Sequence, residues 1–316
     1  MLPQLIIDEG PVGLDAEQKK VVDYDGSLMV IAGPGSGKTR VLTERARKYF
    51  NRGESTICLC FTRAAAKEMG SRVVGLPATT LHSYCCNYVG WDDKWAYTGL
   101  LYRYLQEKDK TLYDNVLIDE VQDLNELEMD AALSMVGKRL FAVGDPYQSI
   151  YGFQGAMGPK VQKLLQDYGC EVSALHNNYR SCQQIVWKLN NIYRRGLVSC
   201  NIKDTGLSAI LCRSNDDVFY VSKTLKAADI PHSVKLAEGI GGLGREYSVL
   251  GDNKLILSTI HQSKGREYDN VCIFDWKPYG NQEEFRCYYV ACSRASKELV
   301  EVKNIERLLQ WLKTKV

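Results

Sequence analysis

An excess of charge of either sign is missing from this sequence: 40 Lys and Arg against 38 Asp and Glu leave a formal net charge of +2 over 316 residues. Overall charge therefore neither indicates nor excludes nucleic acid, and any basic track has to be local. No apolar run approaches the roughly 18 residues of a membrane-spanning helix, so no membrane partner is expected. The opening MLPQLIIDEG has no basic segment ahead of an apolar stretch, so no secretory leader is expected and a cytoplasmic, reducing setting is. Eleven cysteines are present, yet none is spaced as a C-x₂-C pair, and Cys58, Cys60, Cys272 and Cys292 fall inside apolar segments. They read as small core residues, not as disulfides or zinc ligands. Internal repeats and low-complexity tails are lacking too. What remains is a chain 45% hydrophobic and long enough for two domains, each with its own core.

The stretch SLMVIAGPGSGKTR organises the rest. Five apolar residues (Leu28–Ala32) predict a strand running straight into AGPGSGKT, which fits the phosphate-loop pattern with Ala32 in the first glycine position. Gly33, Gly35 and Gly37 remove side chains, so backbone N–H groups can surround an anion. A helix starting at Gly37 or Lys38 adds its positive end. Lys38 reaches β- and γ-phosphates, and the Thr39 hydroxyl takes a place on Mg²⁺. Pro34, Ser36 and Arg40 complete the nucleotide-binding stretch.

Ahead of this loop, LDAEQKKVVDY predicts a helix with Asp15 as N-cap and Gln18 at the capping-box position. Gln18 could equally read an adenine edge. Beyond the loop, strands alternate with helices, which predicts an α/β fold with parallel strands and sites at the strand C-terminal ends. Phe61 and Thr62 stand at one such end. The segment 85–112 mixes aromatics with charges and reads as a small helical insert. In YDNVLIDEVQD, Val116, Leu117 and Ile118 form a buried strand with Asp119 and Glu120 at its end. Beside a phosphate loop, such a pair divides the work: Asp119 holds Mg²⁺ through water, and Glu120 orients and deprotonates the attacking water. Asn125 and Glu128 form a capping box. The strand 140–144 ends in GDPYQSIYGFQGA, where the Gln148 amide can sense a γ-phosphate and Tyr151 and Phe153 either stack on bases or pack in a core.

In the second half, strand 171–175 feeds HNNYRS, and Ser181 with Gln184 predicts a capping box for a helix carrying Ile185, Leu189 and Ile192. Arg180 stands just before that helix. Strand, helix and strand follow at 208–213, 217–228 and 232–236. The glycine-rich 237–253 lacks the strand and helix that a second nucleotide site would need. Strands at 254–259 and 271–275 flank IHQSKGREYDN, and EEFRCYYVACSRASKEL reads as strand-to-helix or as helix throughout, with Arg286 and Arg294 available to a neighbouring face. NIERLLQWLKTK is an amphipathic helix.

In this order LDAEQ, AGPGSGKT, FTRAAAKEM, TTLHS, LIDEVQD, GDPYQSIYGFQGA, NYRS, TIHQSKGREYD and YVACSRA resemble the motifs of superfamily 1 helicases of the UvrD/Rep type, over nearly the whole chain. The resemblance implies two RecA-like (P-loop NTPase) domains with parallel sheets flanked by helices and with ATP in the cleft between them. These are 1–178, with the small insert at about 85–112, and 179–316, with a reduced insert at about 237–253. It implies that Gln18 and Tyr179 hold adenine, that Glu267 binds ribose, and that Arg180 and Arg294 reach the γ-phosphate when the cleft closes. Single-stranded DNA would be contacted by Phe61, Thr62, His82, Tyr151, Phe153 and His261. The implied protein is a monomeric, ATP- and Mg²⁺-dependent motor moving 3′ to 5′ on single-stranded DNA and acting at junctions with duplex. Gln154 departs from the pattern, standing where such proteins usually have an arginine. With small inserts as well, the rival reading is a DNA-stimulated ATPase that remodels or senses without processive unwinding. A nucleotide-gated binding module is disfavoured, since it has no need of Lys38, Glu120 and Arg294 together.

Overall fold

The computed structural model describes residues 13–90, 97–200, 205–235, 254–277 and 280–315. The glycine-rich excursion at 237–253 lies outside the described residues, as does 91–96 of the expected insert. The chain divides into two compact units, Met1–Gly33 with Gly37–Leu175, and Pro34–Ser36 with His176–Val316.

The first unit is built on six parallel strands: β1 (Leu28–Ala32), β2 (Thr56–Cys60), β3 (Ala78–Thr80), β4 (Tyr113–Ile118), β5 (Val136–Gly144) and β6 (Glu171–Leu175), in the order β3-β2-β4-β5-β1-β6. Successive residues of one strand feed opposite cores. Met29, Val116 and Ile118 join one apolar cluster, while Leu28, Val30 and Leu117 join the other. Both faces of the sheet are thus covered, which is why the strands read as unbroken apolar runs rather than alternating ones. β1 connects across the sheet to β2, whereas neighbouring β5 connects the other way to β6. The chain therefore leaves the C-terminal ends of β1 and β5 in opposite directions, and a crevice for ligands opens there.

The segment expected as an insert is part of this core. Helices Leu81–Val89 and Tyr97–Gln106 bury Cys85, Leu100, Leu101 and Tyr104 in the same cluster as β4. Tyr84 meets Tyr88, Tyr104 and Tyr113 at ring distances of 5.9–6.2 Å. Among the segment's described aromatics Tyr104 is wholly buried, whereas Tyr88 and Tyr102 are exposed.

Arg45 is a buried cation at the heart of the other face, 0% exposed. Its guanidinium donates to the carbonyls of Val21, Val22 and Gly26 at 2.9–3.0 Å and lies over the rings of Tyr49 and Phe141. Val21 and Val22 lie in the last turn of the helix Ala16–Asp23, so Arg45, together with Lys48 on Val22 O and Asp23 O, supplies partners that the last turn lacks. The helix start matches expectation, with Asp15 and Gln18 forming the reciprocal capping box.

The second unit carries five parallel strands: β9 (Ser208–Cys212), β10 (Ser233–Lys235), β11 (Leu255–Thr259), β12 (Tyr268–Phe274) and β13 (Ala295–Val302), in the order β10-β11-β9-β12-β13. A short separate pair joins β7 (Asn177–Asn178) to β8 (Val198–Ser199). One face packs Ile210, Cys212, Leu257 and Cys272 against Val218, Val221 and Leu308 of the flanking helices. Two expectations are corrected. The EEFRCYYVACSRASKEL run is neither strand-to-helix nor all helix but a helix, Gln282–Cys292, followed by β13, whose pairing with β12 stabilises extended backbone in a sequence permissive of helix. Nor does Ser181 cap the helix Gln183–Ile192; the N-cap is Cys182, and the Ser181 hydroxyl instead donates to the Ala295 carbonyl at 2.7 Å.

All eleven cysteines are free; Cys86, Cys182 and Cys200 are half-buried and the other eight are buried. Burial pushes the Cys85, Cys272 and Cys292 thiols up to about 12.

Replacing Arg45 with methionine keeps the packing volume but takes the guanidinium from the Val21 and Gly26 carbonyls and leaves Val22 O to Lys48 alone. Arg45→Met should destabilise the first unit by about 2–4 kcal/mol, read from the denaturant midpoint. A midpoint unmoved within error would mean that these carbonyls find other partners.

Candidate functional site

The loop after β1 has the geometry that its glycines predict. Gly35 and Gly37 adopt left-handed backbone (φ +69° and +85°), and the helix Lys38–Asn51 begins immediately after Gly37. A Cβ on Gly37 would collide with the Gln18 amide nitrogen, which places Gln18, itself 3% exposed, against the loop. Gln18 is therefore both a cap and a neighbour of the loop. Gly33, Pro34 and Ser36 are buried, and Thr39 and Arg40 are half-buried in the first turn of the helix. Lys38 Nζ donates to the Ala32 carbonyl at 3.4 Å, a long bond that an incoming anion can replace.

Asp119 and Glu120 follow β4. Asp119 is buried, and its pKa is raised to about 7, first by desolvation and then by the Glu120 charge, with Lys38 pulling the other way. Glu120 takes a left-handed backbone, φ +50°, and its N–H donates to Asp119 Oδ1 at 3.0 Å. The loop after β5 contributes Gln148, 2% exposed, whose amide donates to Asp145 Oδ2 at 2.9 Å. An ammonium, a helix start rich in N–H groups, the Thr39 hydroxyl and a desolvated carboxylate thus occupy one edge of the first sheet. Hard oxygen donors suit Mg²⁺, and a divalent cation would offset the cost of burying Asp119. The residues present fit a magnesium–nucleotide.

Aromatic residues line up beside this edge. Phe61 lies 5.1 Å from Tyr151, which lies 6.1 Å from Phe153, and Phe153 is 67% exposed. The Thr62 hydroxyl caps the helix Arg63–Arg72 by accepting from Ala65 N–H at 3.1 Å. His82 Nε2 stands 3.5 Å from Glu128 Oε1.

In the second unit, Arg180, Glu267 and Arg294 come together. Arg180 pairs with Glu267 and donates to the Ser293 carbonyl at 3.2 Å. Arg294, 2% exposed, donates to Val290 O, Arg266 O and Ser293 Oγ at 2.8–3.1 Å. Tyr179 is half-buried, and its N–H donates to Gly35 O at 2.8 Å. His261 is half-buried, 3.9 Å from the Cys287 sulfur.

Two buried amides were not among the expected site residues. Asn178, 0% exposed, donates to Pro34 O at 2.7 Å and accepts from the N–H groups of Arg180 and Ser181. Gln122, also 0% exposed, donates to Glu120 Oε2 at 2.7 Å. The usable signal was their place: each lies inside a motif that the sequence had already marked, HNNYRS and LIDEVQD.

Residues 18–154 match the family described as AAA domain, and residues 254–302 match the UvrD-like helicase C-terminal domain. DNA helicase II of Haemophilus influenzae is 36% identical over 95 residues, covering 29% of this chain and 12% of that protein. The probable DNA helicase II homolog of Mycoplasma capricolum is 31% identical over 160 residues, covering 47% and 21%. The chain therefore spans under a quarter of the length of either curated relative. The crystal structure of Bacteroides Pif1 bound to single-stranded DNA has the same fold, with a TM-score of 0.53 at 15% identity over 96% of this chain and 97% of that one.

Asp119 titrates at about 7 in the folded chain against an ordinary 3.8, so the native state holds this proton more tightly than the unfolded one. Its ionisation therefore costs stability progressively as pH rises from about 4 to about 7, and fully above that. Without nucleotide or metal, Asp119→Asn should raise the melting temperature at pH 8, with the gain shrinking through pH 7 and vanishing near pH 4. Thermal scans across that range test this; a difference independent of pH would contradict it.

Proposed function

Because this chain is of the UvrD/Rep type of superfamily 1, we propose that it is an ATP-hydrolysing motor that translocates on single-stranded DNA. The observation that carries the reading is the phosphate loop, with Lys38 and Thr39, on the same sheet edge as buried Asp119 and half-buried Glu120. A module that only binds nucleotide has no need for the second of those acids. Lys38 and the loop amides from Gly33 to Arg40 hold the phosphates, while Gln18 and Tyr179 hold adenine and Glu267 the ribose. Thr39 and Asp119 would hold Mg²⁺, which would supply charge neutralisation to the phosphates. Glu120 orients the attacking water and takes its proton, and Gln148 senses the γ-phosphate.

Arg180 and Arg294 supply positive charge to the phosphoryl group in transfer. Both are engaged in this structure, Arg180 by Glu267 and Arg294 by main-chain carbonyls. Reaching a phosphate means exchanging those partners, so hydrolysis is tied to movement of the segments that carry them. The Phe61–Tyr151–Phe153 run, half-buried at Phe61 and Tyr151 and exposed at Phe153, offers stacking worth about 1–3 kcal/mol per base whatever the sequence, with Thr62, His82 and His261 completing the track. The DNA helicase II relatives support DNA as the substrate; movement 3′ to 5′, by a monomer working inside the cell and at junctions with duplex, is the finer part of the same proposal. A second reading, a DNA-stimulated ATPase that remodels or senses, is favoured by Gln154 and by the burial of Cys85, Leu100, Leu101 and Tyr104 in the core of the first unit. Unwinding of partial duplexes with 3′ or 5′ tails separates the two and fixes direction.

Lys38→Ala should abolish ATP turnover, Glu120→Gln should keep ATP binding while hydrolysis falls about 10²–10⁴-fold, and Arg294→Ala should slow turnover about 10³-fold with little change in affinity. Steady-state hydrolysis with and without DNA, paired with equilibrium nucleotide binding, measures all three. Wild-type rates in Lys38→Ala would remove the phosphate-loop assignment, and those in Glu120→Gln the base. A loss confined to affinity in Arg294→Ala would remove the arginine's role.

A further inference from the structure

Gln122 sits in the single turn Val121–Asp123, directly after the Glu120 backbone reversal, and is wholly buried. Its side chain spans two segments: Nε2 donates to Glu120 Oε2 at 2.7 Å and to Asp123 Oδ2 at 3.3 Å, and Oε1 accepts from the Asp145 N–H at 2.9 Å. Its own carbonyl accepts from Ser149 Oγ at 3.2 Å and from Gly158 N–H at 3.0 Å. Asp145 in turn holds the Gln148 amide and accepts from Tyr147 N–H. One residue therefore ties Glu120 to both ends of the segment 145–158, which carries Gln148, Tyr151 and Phe153.

The chemistry of the link is specific to an amide. One end must donate to a carboxylate and the other must accept from a backbone N–H, which neither a carboxylate nor an aliphatic chain can do. Room at the far end is set by Gly144, where a Cβ would collide with Gln122 Oε1. The bridge is thus fixed in length at both ends.

We propose that Gln122 is a positioning residue: it fixes the plane of the Glu120 carboxylate and couples it to the 145–158 segment, so that a strand seated on Tyr151 and Phe153 changes the rate at which Glu120 activates water. This rests on the hydrolytic function proposed above. A carboxylate that loses its amide partner can rotate away from the water, and misplacements of about 1 Å cost up to about a hundredfold in rate. ATP binding is expected to be spared, because the hydrogen bonds of Gln122 run to Glu120, Asp123, Asp145, Ser149 and Gly158.

The test uses the full chain, ATP, and a thymidine oligonucleotide as the strand. Gln122→Met removes all three side-chain hydrogen bonds at similar volume, and Gln122→Asn keeps the amide but is one methylene too short to bridge. In each, kcat with DNA should fall about 10- to 100-fold, KM for ATP should stay within about threefold, and the ratio of DNA-stimulated to basal turnover should collapse toward one. A preserved ratio, or an unchanged kcat, in a folded variant overturns the coupling. Gln122→Asn serves if Gln122→Met does not fold. Lys38→Ala run alongside keeps the two readings apart: if it still hydrolyses ATP, the hydrolytic assignment fails, whereas an inactive Lys38→Ala with an intact ratio in the Gln122 variants removes only the coupling.

Discussion

Burying Asp119 beside a second acid is the electrostatic problem around which the first unit is arranged. Water is excluded by β4, whose last four residues are buried, and the neighbouring Glu120 charge adds to the cost of ionising. Three features answer that cost without removing it. Lys38 opposes the charge from across the sheet edge. The left-handed backbone at Glu120, a conformation that costs a non-glycine residue about 1–2 kcal/mol, ends the strand at once and turns the Glu120 N–H onto Asp119. The turn that follows then presents the Gln122 amide to the second acid. What remains unpaid is the desolvation itself, and that residual cost is an affinity reserve for a metal cation.

Much of this edge was legible because its physics is local. A strand, three glycines and a helix start need only the residues within SLMVIAGPGSGKTR, and the capping boxes at Asp15–Gln18 and Asn125–Glu128 need only one turn of helix. The same pattern misled at Ser181–Gln184, since the Ser181 hydroxyl is claimed by a carbonyl 114 residues further along the chain. β13 escaped for the same reason: its extended backbone comes from pairing with β12, not from its own composition. Gln122 and Arg45 look like ordinary surface polar residues in sequence, because the carbonyls and amides that bury them lie more than 20 residues away. Aromatic content near 85–112 suggested a separate element, whereas Tyr104 joins the same apolar cluster as β4.

The second unit shows how charged groups can be held ready by ordinary structural bonds. Arg180 and Arg294 both donate to Ser293, one to its carbonyl and the other to its hydroxyl, so a shift at that residue is felt by both guanidiniums. Nearby, burial would raise the Asp269 pKa, but the Thr205 and Gly206 donors outweigh it and hold the carboxyl below its usual range. That aspartate anchors the entry to β9, while the arginines end the helix that precedes β13. Anchored strand ends with movable side chains at their tips are what a fold of two parallel sheets offers, and 15% identity to a solved structure suffices to keep it.

The burial of the thiols has a practical side. Nucleophilic sulfur needs the thiolate, and a group pushed up to about 12, such as Cys85, Cys272 or Cys292, holds almost none at neutral pH. Alkylating reagents and mild oxidants therefore meet a protein with many sulfurs but few targets: Cys86 in the first unit, and Cys182 and Cys200 in the second. A maleimide dye would find native attachment points on either unit without prior mutagenesis.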